Sequence, residues 1–120
     1  MNPSGLKRAV GRRLPMFAGT QQHDAQEFLR FFLGGMEEDL NRVRGKPKWV
    51  ELKDIDGEAD ADKAQRWWQN HVERNDSIVG DLFTGQIMSE RICQSCSHRE
   101  VNFDPFMDVS VTRARAARAP

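Results

Sequence analysis

Apolar residues recur at helical spacing through the first two thirds of the chain, and the longest stripe begins just after residue 24. Its members follow one another at intervals of three, four and seven residues: Ala25, Phe28, Leu29, Phe32, Leu33, Met36, Leu40 and Val43. Asp24 is a suitable N-cap, and Gly45 followed by Pro47 is expected to end the helix. We expect the Gly34-Gly35 pair to mark a close helix contact or a local bend.

Shorter patterns predict one helix before the long stripe and one after it. The first apolar stripe ends at Pro15, and the other predicts a helix over about residues 61–74. Residues 46–60, which precede that last helix, are charged and show no periodic pattern, which indicates a solvated loop. A short helical segment capped by Asn75 or Asp76 is expected to follow.

After Gly85 the pattern of hydrophobic and polar residues changes from helical spacing to a period of two residues. Residues 86–92 and 100–103 alternate between two faces and predict two strands, which are joined by a turn over residues 93–98 and interrupted afterwards by Pro105. Helices followed by a β-hairpin indicate an α+β fold.

Composition narrows the functional classes. The chain has 120 residues, which allows one small domain, and its 18 basic residues balance its 18 acidic ones. This balance gives no argument for nucleic acid or a membrane surface as partner. No apolar run approaches the ~20 residues of a membrane span, and no apolar secretory core follows the N-terminus. We therefore expect a cytoplasmic or nuclear protein that is not secreted.

The predicted turn carries Cys93-x-x-Cys96, the only two cysteines of the chain. A strand–turn–strand tip aims two thiolates at one point, as in a zinc knuckle, but a structural zinc site needs four ligands. The pair therefore predicts half of a structural zinc site. His98 is a candidate third ligand, although a solvent-exposed turn histidine is the commoner case. A redox role is disfavoured because redox Cys-x-x-Cys motifs open a helix.

Residue chemistry alone predicts no catalytic centre. The three histidines, His23, His71 and His98, are scattered, and neither cysteine has the surroundings of a nucleophile.

Three segments resemble the catalytic domain of ubiquitin-specific proteases, the cysteine deubiquitinases. They are residues 17–29, residues 77–86 running on to Cys96, and residues 103–111. The resemblance implies part of a thumb, palm and fingers fold around a papain-like centre. The helix after Asp24 would belong to the thumb, and the cysteine hairpin would belong to the fingers. We accordingly expect a partial catalytic domain over residues 1–112 and an unstructured Arg/Ala-rich tail over residues 113–120.

The same resemblance places Gln22 and Asp24 beside the extended C-terminal tail of ubiquitin, which carries arginines. An amide can satisfy backbone groups of such a tail, and a carboxylate can pair with a guanidinium. Asp24 could instead serve only as the N-cap, and the two roles are compatible. Ubiquitin or ubiquitinated proteins are therefore the expected partners.

The chain departs from the family pattern because it has no match to the cysteine box, the histidine box or the second Cys-x-x-Cys pair. We expect a partial deubiquitinase domain that is inactive alone. The alternative is a non-catalytic ubiquitin- or protein-binding module of the same fold, and a weaker one is a small zinc-binding adaptor.

Overall fold

A computed structural model describes residues 2–45 and 47–112, so the predicted tail over residues 113–120 lies outside the described residues. The elements are α1 (Ser4–Arg13), a 3₁₀ turn (Pro15–Phe17), α2 (Ala25–Asp39), α3 (Asp60–Val72), α4 (Ile78–Phe83), β1 (Gly85–Ile92) and β2 (Arg99–Phe106). This order confirms the predicted α+β fold. Among the described residues, no helix is both long enough and apolar enough to cross a lipid bilayer.

Helix α2 ends at Asp39, several residues before the predicted end. The residues that follow bond to the chain beyond α3 instead of continuing the helix. Asn41 donates a side-chain hydrogen bond to the Arg74 carbonyl (2.9 Å), and the Arg42 N–H donates to the Asp76 carbonyl (2.7 Å). These long-range bonds replace helical hydrogen bonds. The apolar pattern in the sequence therefore continues beyond the end of the helix.

The prediction of a close helix contact at Gly34-Gly35 is wrong. A Cβ added at either glycine would meet nothing within 4 Å. The close approach occurs instead at Gly11 in α1, where an added Cβ would lie 2.9 Å from the Ala18 Cα. Glycine at residue 11 therefore lets the 3₁₀ turn fold back against α1.

Strand β2 runs further than predicted because Pro105 does not interrupt it. The strands pair antiparallel from Gly85 opposite Phe106 to Ile92 opposite Arg99. Each strand of a two-stranded sheet has an unpaired edge, so the N–H that proline lacks need not break the ladder.

The short helix α4 is capped by Ser77 and not by Asn75 or Asp76. The Ser77 hydroxyl accepts a hydrogen bond from the Gly80 N–H (3.0 Å), and Ser77 is 1% exposed. Asp76 is engaged elsewhere, because its carboxylate accepts from the Arg42 guanidinium (2.7 Å).

Few apolar side chains are buried among the described residues; they fall into two groups, apart from Val79 of α4. The helical half, which we define as α1, the 3₁₀ turn and α2, buries Val10, Phe17 and Leu33. The hairpin half, defined as α3 with β1 and β2, buries Val101 and Phe103. The Cα radius of gyration is 19.6 Å, against about 14 Å for a compact domain of this length. The fold is therefore open, with two small cores.

Ion pairs attach α3 to the hairpin. The Lys63 ammonium donates to the Val101 carbonyl (2.6 Å) and to the Asp54 carboxylate (2.5 Å), and Lys63 is only 8% exposed. The Arg99 guanidinium makes two bonds to Asp60 at the start of α3 (2.7 and 3.0 Å). The half of the hairpin next to its turn is thus fixed against the helix.

Candidate functional site

The segment that leads into α2 is held from both sides. The Lys7 ammonium of α1 donates to the carbonyls of Phe17 (3.2 Å) and Gly19 (2.6 Å). The Phe17 ring is buried, and it packs edge-on against Phe28 (5.2 Å between ring centroids) and His23 (5.0 Å). These contacts fix the chain just before the predicted ubiquitin-binding residues.

Asp24 is the N-cap of α2, as the sequence predicted. Its backbone is extended (φ −70°, ψ 130°), and its Oδ1 accepts a hydrogen bond from the Glu27 N–H (2.9 Å). The residue is exposed, so the carboxylate that caps the helix also faces solvent. One side chain can therefore stabilise the helix and meet a ligand.

Gln22 lies two residues before the cap and is exposed. Within residues 2–45 and 47–112, no hydrogen bond engages its side-chain amide. The amide is therefore available to bond to the backbone of an extended peptide.

A contact that the sequence did not reveal brings Asp108 to the first turns of α2. Gln26 donates a side-chain hydrogen bond to Asp108 Oδ2 (2.5 Å), and Arg30 Nε lies 3.5 Å from Asp108 Oδ1. Asp108 is 82 residues from Gln26. Both residues lie in segments that carry the family resemblance, but no pattern in the sequence pairs them.

A cleft of about 610 Å³ opens beside this contact. It is lined by Asp24, Gln26, Glu27, Arg30 and Phe31. Two carboxylates, an amide, one aromatic ring and the Arg30 guanidinium, which faces Asp108, thus surround the start of α2. Such a lining suits a peptide that is both cationic and extended.

A second cleft of about 490 Å³ lies on the other side of Arg30 and contains Glu37, His71 and Thr84. Burial raises the pKa of Glu37 above its usual value. Burial also lowers the pKa of His71, with a smaller contribution from nearby Arg74. Glu37 Oε1 and Thr84 Oγ1 are buried without a hydrogen-bond partner among the described residues.

The cysteines sit at the free end of the hairpin. The Cys93 N–H donates to the His98 carbonyl (2.9 Å), and the Ser97 N–H donates to the Cys93 carbonyl (2.8 Å). Ser97 has a left-handed backbone (φ 57°), and both cysteines are exposed free thiols. Hydrogen bonds from the Cys96 and Ser95 N–H groups, and then from the Cys96 thiol, lower the pKa of the Cys93 thiol.

The donor set of this turn fits zinc only in part. Cysteine pairs whose sulfur receives backbone N–H groups are suitable thiolate ligands. Among the described residues, however, no group of three or more His, Cys, Asp and Glu side chains could hold a metal ion. His98 is therefore not brought together with the two thiols. Cys93 and Cys96 alone would give a structural zinc ion two of its four ligands.

The histidines and cysteines do not form a catalytic pair in the described part of the chain. His23 packs on Phe17, and His71 packs against Trp68 (5.4 Å between ring centroids). The hydrogen bonds that reach the Cys93 sulfur come from the turn itself.

Comparison with known proteins settles the family. Residues 1–114 match the family model described as ubiquitin carboxyl-terminal hydrolase. This chain belongs to the ubiquitin carboxyl-terminal hydrolase family. The resemblance to ubiquitin-specific proteases seen in the three sequence segments is thereby confirmed.

Similar proteins carry the same family name. Ubiquitin carboxyl-terminal hydrolase 15 of Xenopus tropicalis is 49% identical over 106 residues, which is 88% of this chain and 11% of the relative. Hydrolase 8 of Arabidopsis thaliana is 50% identical over 109 residues, which is 91% of this chain and 12% of the relative. Hydrolase 32 of Homo sapiens is 50% identical over the same length, which is 7% of the relative. The chain thus spans a small part of the length of these hydrolases.

Proposed function

We propose that this member of the ubiquitin carboxyl-terminal hydrolase family binds the C-terminal tail of ubiquitin at the start of α2. In its family the reaction is thiol attack on the carbonyl that joins the ubiquitin C-terminus to another group. Our proposal gives this chain the tail-binding part of that reaction, with a thumb and a fingers segment within residues 1–112. The observation that carries the proposal is the exposed Asp24 carboxylate at the opening of a cleft.

The Asp24 carboxylate can accept more hydrogen bonds than the one that caps the helix. Oδ1 accepts the Glu27 N–H (2.9 Å), and a carboxylate has about four lone-pair sites. The remaining sites can accept a guanidinium of the tail in a charge-assisted hydrogen bond. Gln22, which lies two residues before the cap and is exposed, would bond to the peptide groups of the tail.

The cleft lining supports the same ligand. Glu27 adds a second carboxylate beside Asp24. Gln26 and Arg30 also hold Asp108 against α2 (2.5 and 3.5 Å), so two residues of the lining are fixed by the segment after β2.

We further propose that the chain alone binds ubiquitin without cleaving it. Cleavage by a cysteine hydrolase needs a thiolate activated by a histidine base. The only cysteines are Cys93 and Cys96, and they lie on an exposed turn where no described histidine side chain bonds to them. An electrophilic ubiquitin probe should leave the mass of the chain unchanged. A covalent adduct on either cysteine would contradict this part of the proposal.

Binding is tested by titrating fluorescent ubiquitin, and ubiquitin that lacks its C-terminal tail, with the 120-residue chain. Asp24→Asn keeps the cap but removes the charge, so it should weaken binding by about tenfold. Gln22→Ala should weaken binding less, because it removes a neutral hydrogen bond.

The matched control is Asp62→Asn, which removes a carboxylate near the start of α3, away from the cleft. It should bind as the unchanged chain does. Binding that survives both removal of the tail and Asp24→Asn would overturn the proposed site.

A further inference from the structure

The cleft at the start of α2 carries one cation among its acidic groups. It is lined by the carboxylates of Asp24 and Glu27, and also by Arg30. A free guanidinium at this place would act against a cationic ligand, because like charges repel one another. The partner of Arg30 therefore affects whether a cationic peptide can bind in the cleft.

Two carboxylates compete for the Arg30 guanidinium. Glu27 lies three residues before Arg30, and an acidic and a basic side chain at this spacing are neighbours that attract each other on a helix surface. In the structure, Arg30 Nε lies 3.5 Å from Asp108 Oδ1, and no ion pair joins Arg30 to Glu27 among the described residues. Asp108 thus engages the guanidinium and leaves the Glu27 carboxylate available.

Asp108 lies on the side of Arg30 that faces away from Asp24. Arg30 lines both the cleft at the start of α2 and the second cleft, whereas Asp108 lines only the second of these two. The Asp108 side chain is 33% exposed, so solvent screens this carboxylate only in part. The ion pair therefore holds the positive charge of Arg30 towards the second cleft.

Gln26 fixes the orientation of the Asp108 carboxylate. Its side-chain amide donates a hydrogen bond to Asp108 Oδ2 (2.5 Å), while the other oxygen faces Arg30. Gln26 lies four residues before Arg30, so both contacts come from one face of α2. One carboxylate of the segment after β2 is thus held at both of its oxygens.

We infer that Asp108 raises the affinity of the ubiquitin-tail site by neutralising Arg30, which keeps the cleft acidic and leaves Glu27 free for the tail. The inference rests on the proposed function, because it concerns the same site. Asp108 is a positioning residue, which acts through Arg30 and does not itself contact the tail. Because exposed ion pairs contribute little energy, the expected change in affinity is about three- to fivefold.

The test is a double-mutant cycle in which the 120-residue chain is titrated with fluorescent ubiquitin. Asp108→Asn keeps an oxygen that can accept from Gln26 but removes the charge, so it should weaken binding by about three- to fivefold. Arg30→Gln should bind at least as tightly as the unchanged chain. When Arg30→Gln is already present, adding Asp108→Asn should change the affinity by less than about 1.5-fold. An equal effect of Asp108→Asn with and without Arg30 would overturn the inference.

The matched control is Asp104→Asn, which removes an exposed carboxylate of β2 that lines neither cleft. It should bind ubiquitin as the unchanged chain does. Salt dependence gives a second readout, because the affinity of Asp108→Asn should fall less steeply with rising salt than that of the unchanged chain. Far-UV circular dichroism checks that each variant keeps its fold, and equal salt dependence in folded chains would contradict a role through charge.

Failure of this inference differs from failure of the proposed function. If binding requires the ubiquitin tail and is weakened by Asp24→Asn, but is unchanged by Asp108→Asn, the tail site stands and the role of Asp108 is wrong. If binding survives both removal of the tail and Asp24→Asn, the proposed site itself is wrong. If the unchanged chain does not bind ubiquitin at all, both are wrong.

Discussion

Helices α2 and α3 have similar lengths, 15 and 13 residues, yet they are stabilised in different ways. The residue that α2 buries is Leu33, and large apolar side chains of the same helix remain exposed: Leu29, Phe31 and Met36. Helix α3 buries Lys63, whose charge is satisfied by Asp54 and the Val101 carbonyl. Polar contacts of Lys63 therefore help to hold α3 against the hairpin, while α2 keeps apolar surface open.

This difference bears on function. An apolar surface that is left open marks a place where further protein surface can pack. The proposed tail site begins at Asp24, on the helix that retains this surface. The hairpin half presents charged pairs and two thiols to solvent, together with the apolar side chains Ile87, Met88 and Ile92 of β1. We expect the two halves to respond differently to substitution, pH and ubiquitin.

The largest effect is expected from Phe17→Ala. Phe17 is 6% exposed and contacts the rings of Phe28 and Phe31, so its loss should lower the free energy of unfolding of the helical half by about 3–5 kcal/mol. Leu29→Ala removes a half-exposed side chain from the same surface and should cost far less. Urea titration followed by circular dichroism measures both, and equal losses would show that Phe17 is not the centre of this core.

Lys63→Met should have the next largest effect. Methionine keeps an unbranched side chain of similar length but removes the ammonium that lies 5.5 Å from the centre of the Trp67 ring. It also leaves the Val101 carbonyl without its donor, which costs about 1–3 kcal/mol. Lys48→Met is the control, because Lys48 is exposed in the loop before α3. The loss should appear as faster amide exchange in β2 while α2 is unchanged. Equal stability of the two variants would contradict the role of Lys63.

A pair of glycine substitutions compares closed and open sites within the helical half. Gly34→Ala meets open space and should stabilise the chain by up to about 1 kcal/mol. Gly11→Ala meets the Ala18 Cα at 2.9 Å and should destabilise it by about 1–3 kcal/mol. Thermal unfolding measures both, and stabilisation by Gly11→Ala would show that α1 and the 3₁₀ turn are not packed closely.

The smallest effect concerns pH, and it has opposite sign in the two halves. Burial raises the pKa of Glu37 above 4.5, so its destabilising charge appears as pH rises through the raised value. Bonds to Arg99 lower the pKa of Asp60 below 3.8, so its stabilising charge is lost as pH falls through the lowered value. Glu37→Gln should be more stable than the unchanged chain at pH 7, by less than about 1 kcal/mol, and equal to it near pH 4. An advantage that persists near pH 4 would contradict this cause.

Sequence patterns predicted the elements that depend on residues close to one another in the chain. The N-cap at Asp24, the helix over α3 and the alternation of β1 were all visible as period or capping residues. The end of α2 was not, because bonds from Asn41 to residues beyond α3 decide it. The cap of α4 was also missed, since Arg42 engages Asp76 and leaves Ser77 to cap the helix.

The candidate site was predictable only in part, for the same reason. Gln22 and Asp24 came from resemblance; both are exposed, and Asp24 lines a cleft, while their role in binding ubiquitin stays a prediction. Asp108 reaches Gln26 across 82 residues, and no periodic pattern encodes such a contact. The burial of Lys63 was not predicted, because the position of β2 decides it.

Hydrogen exchange, measured with and without ubiquitin, tests the account most directly. The account predicts that ubiquitin slows exchange at the start of α2, from about residue 17 to residue 33, while the hairpin half exchanges as before. In Asp24→Asn this slowing should be reduced. Slowing confined to residues 85–106, or slowing at α2 that is the same in Asp24→Asn, would contradict the claim that the start of α2 binds the ubiquitin tail.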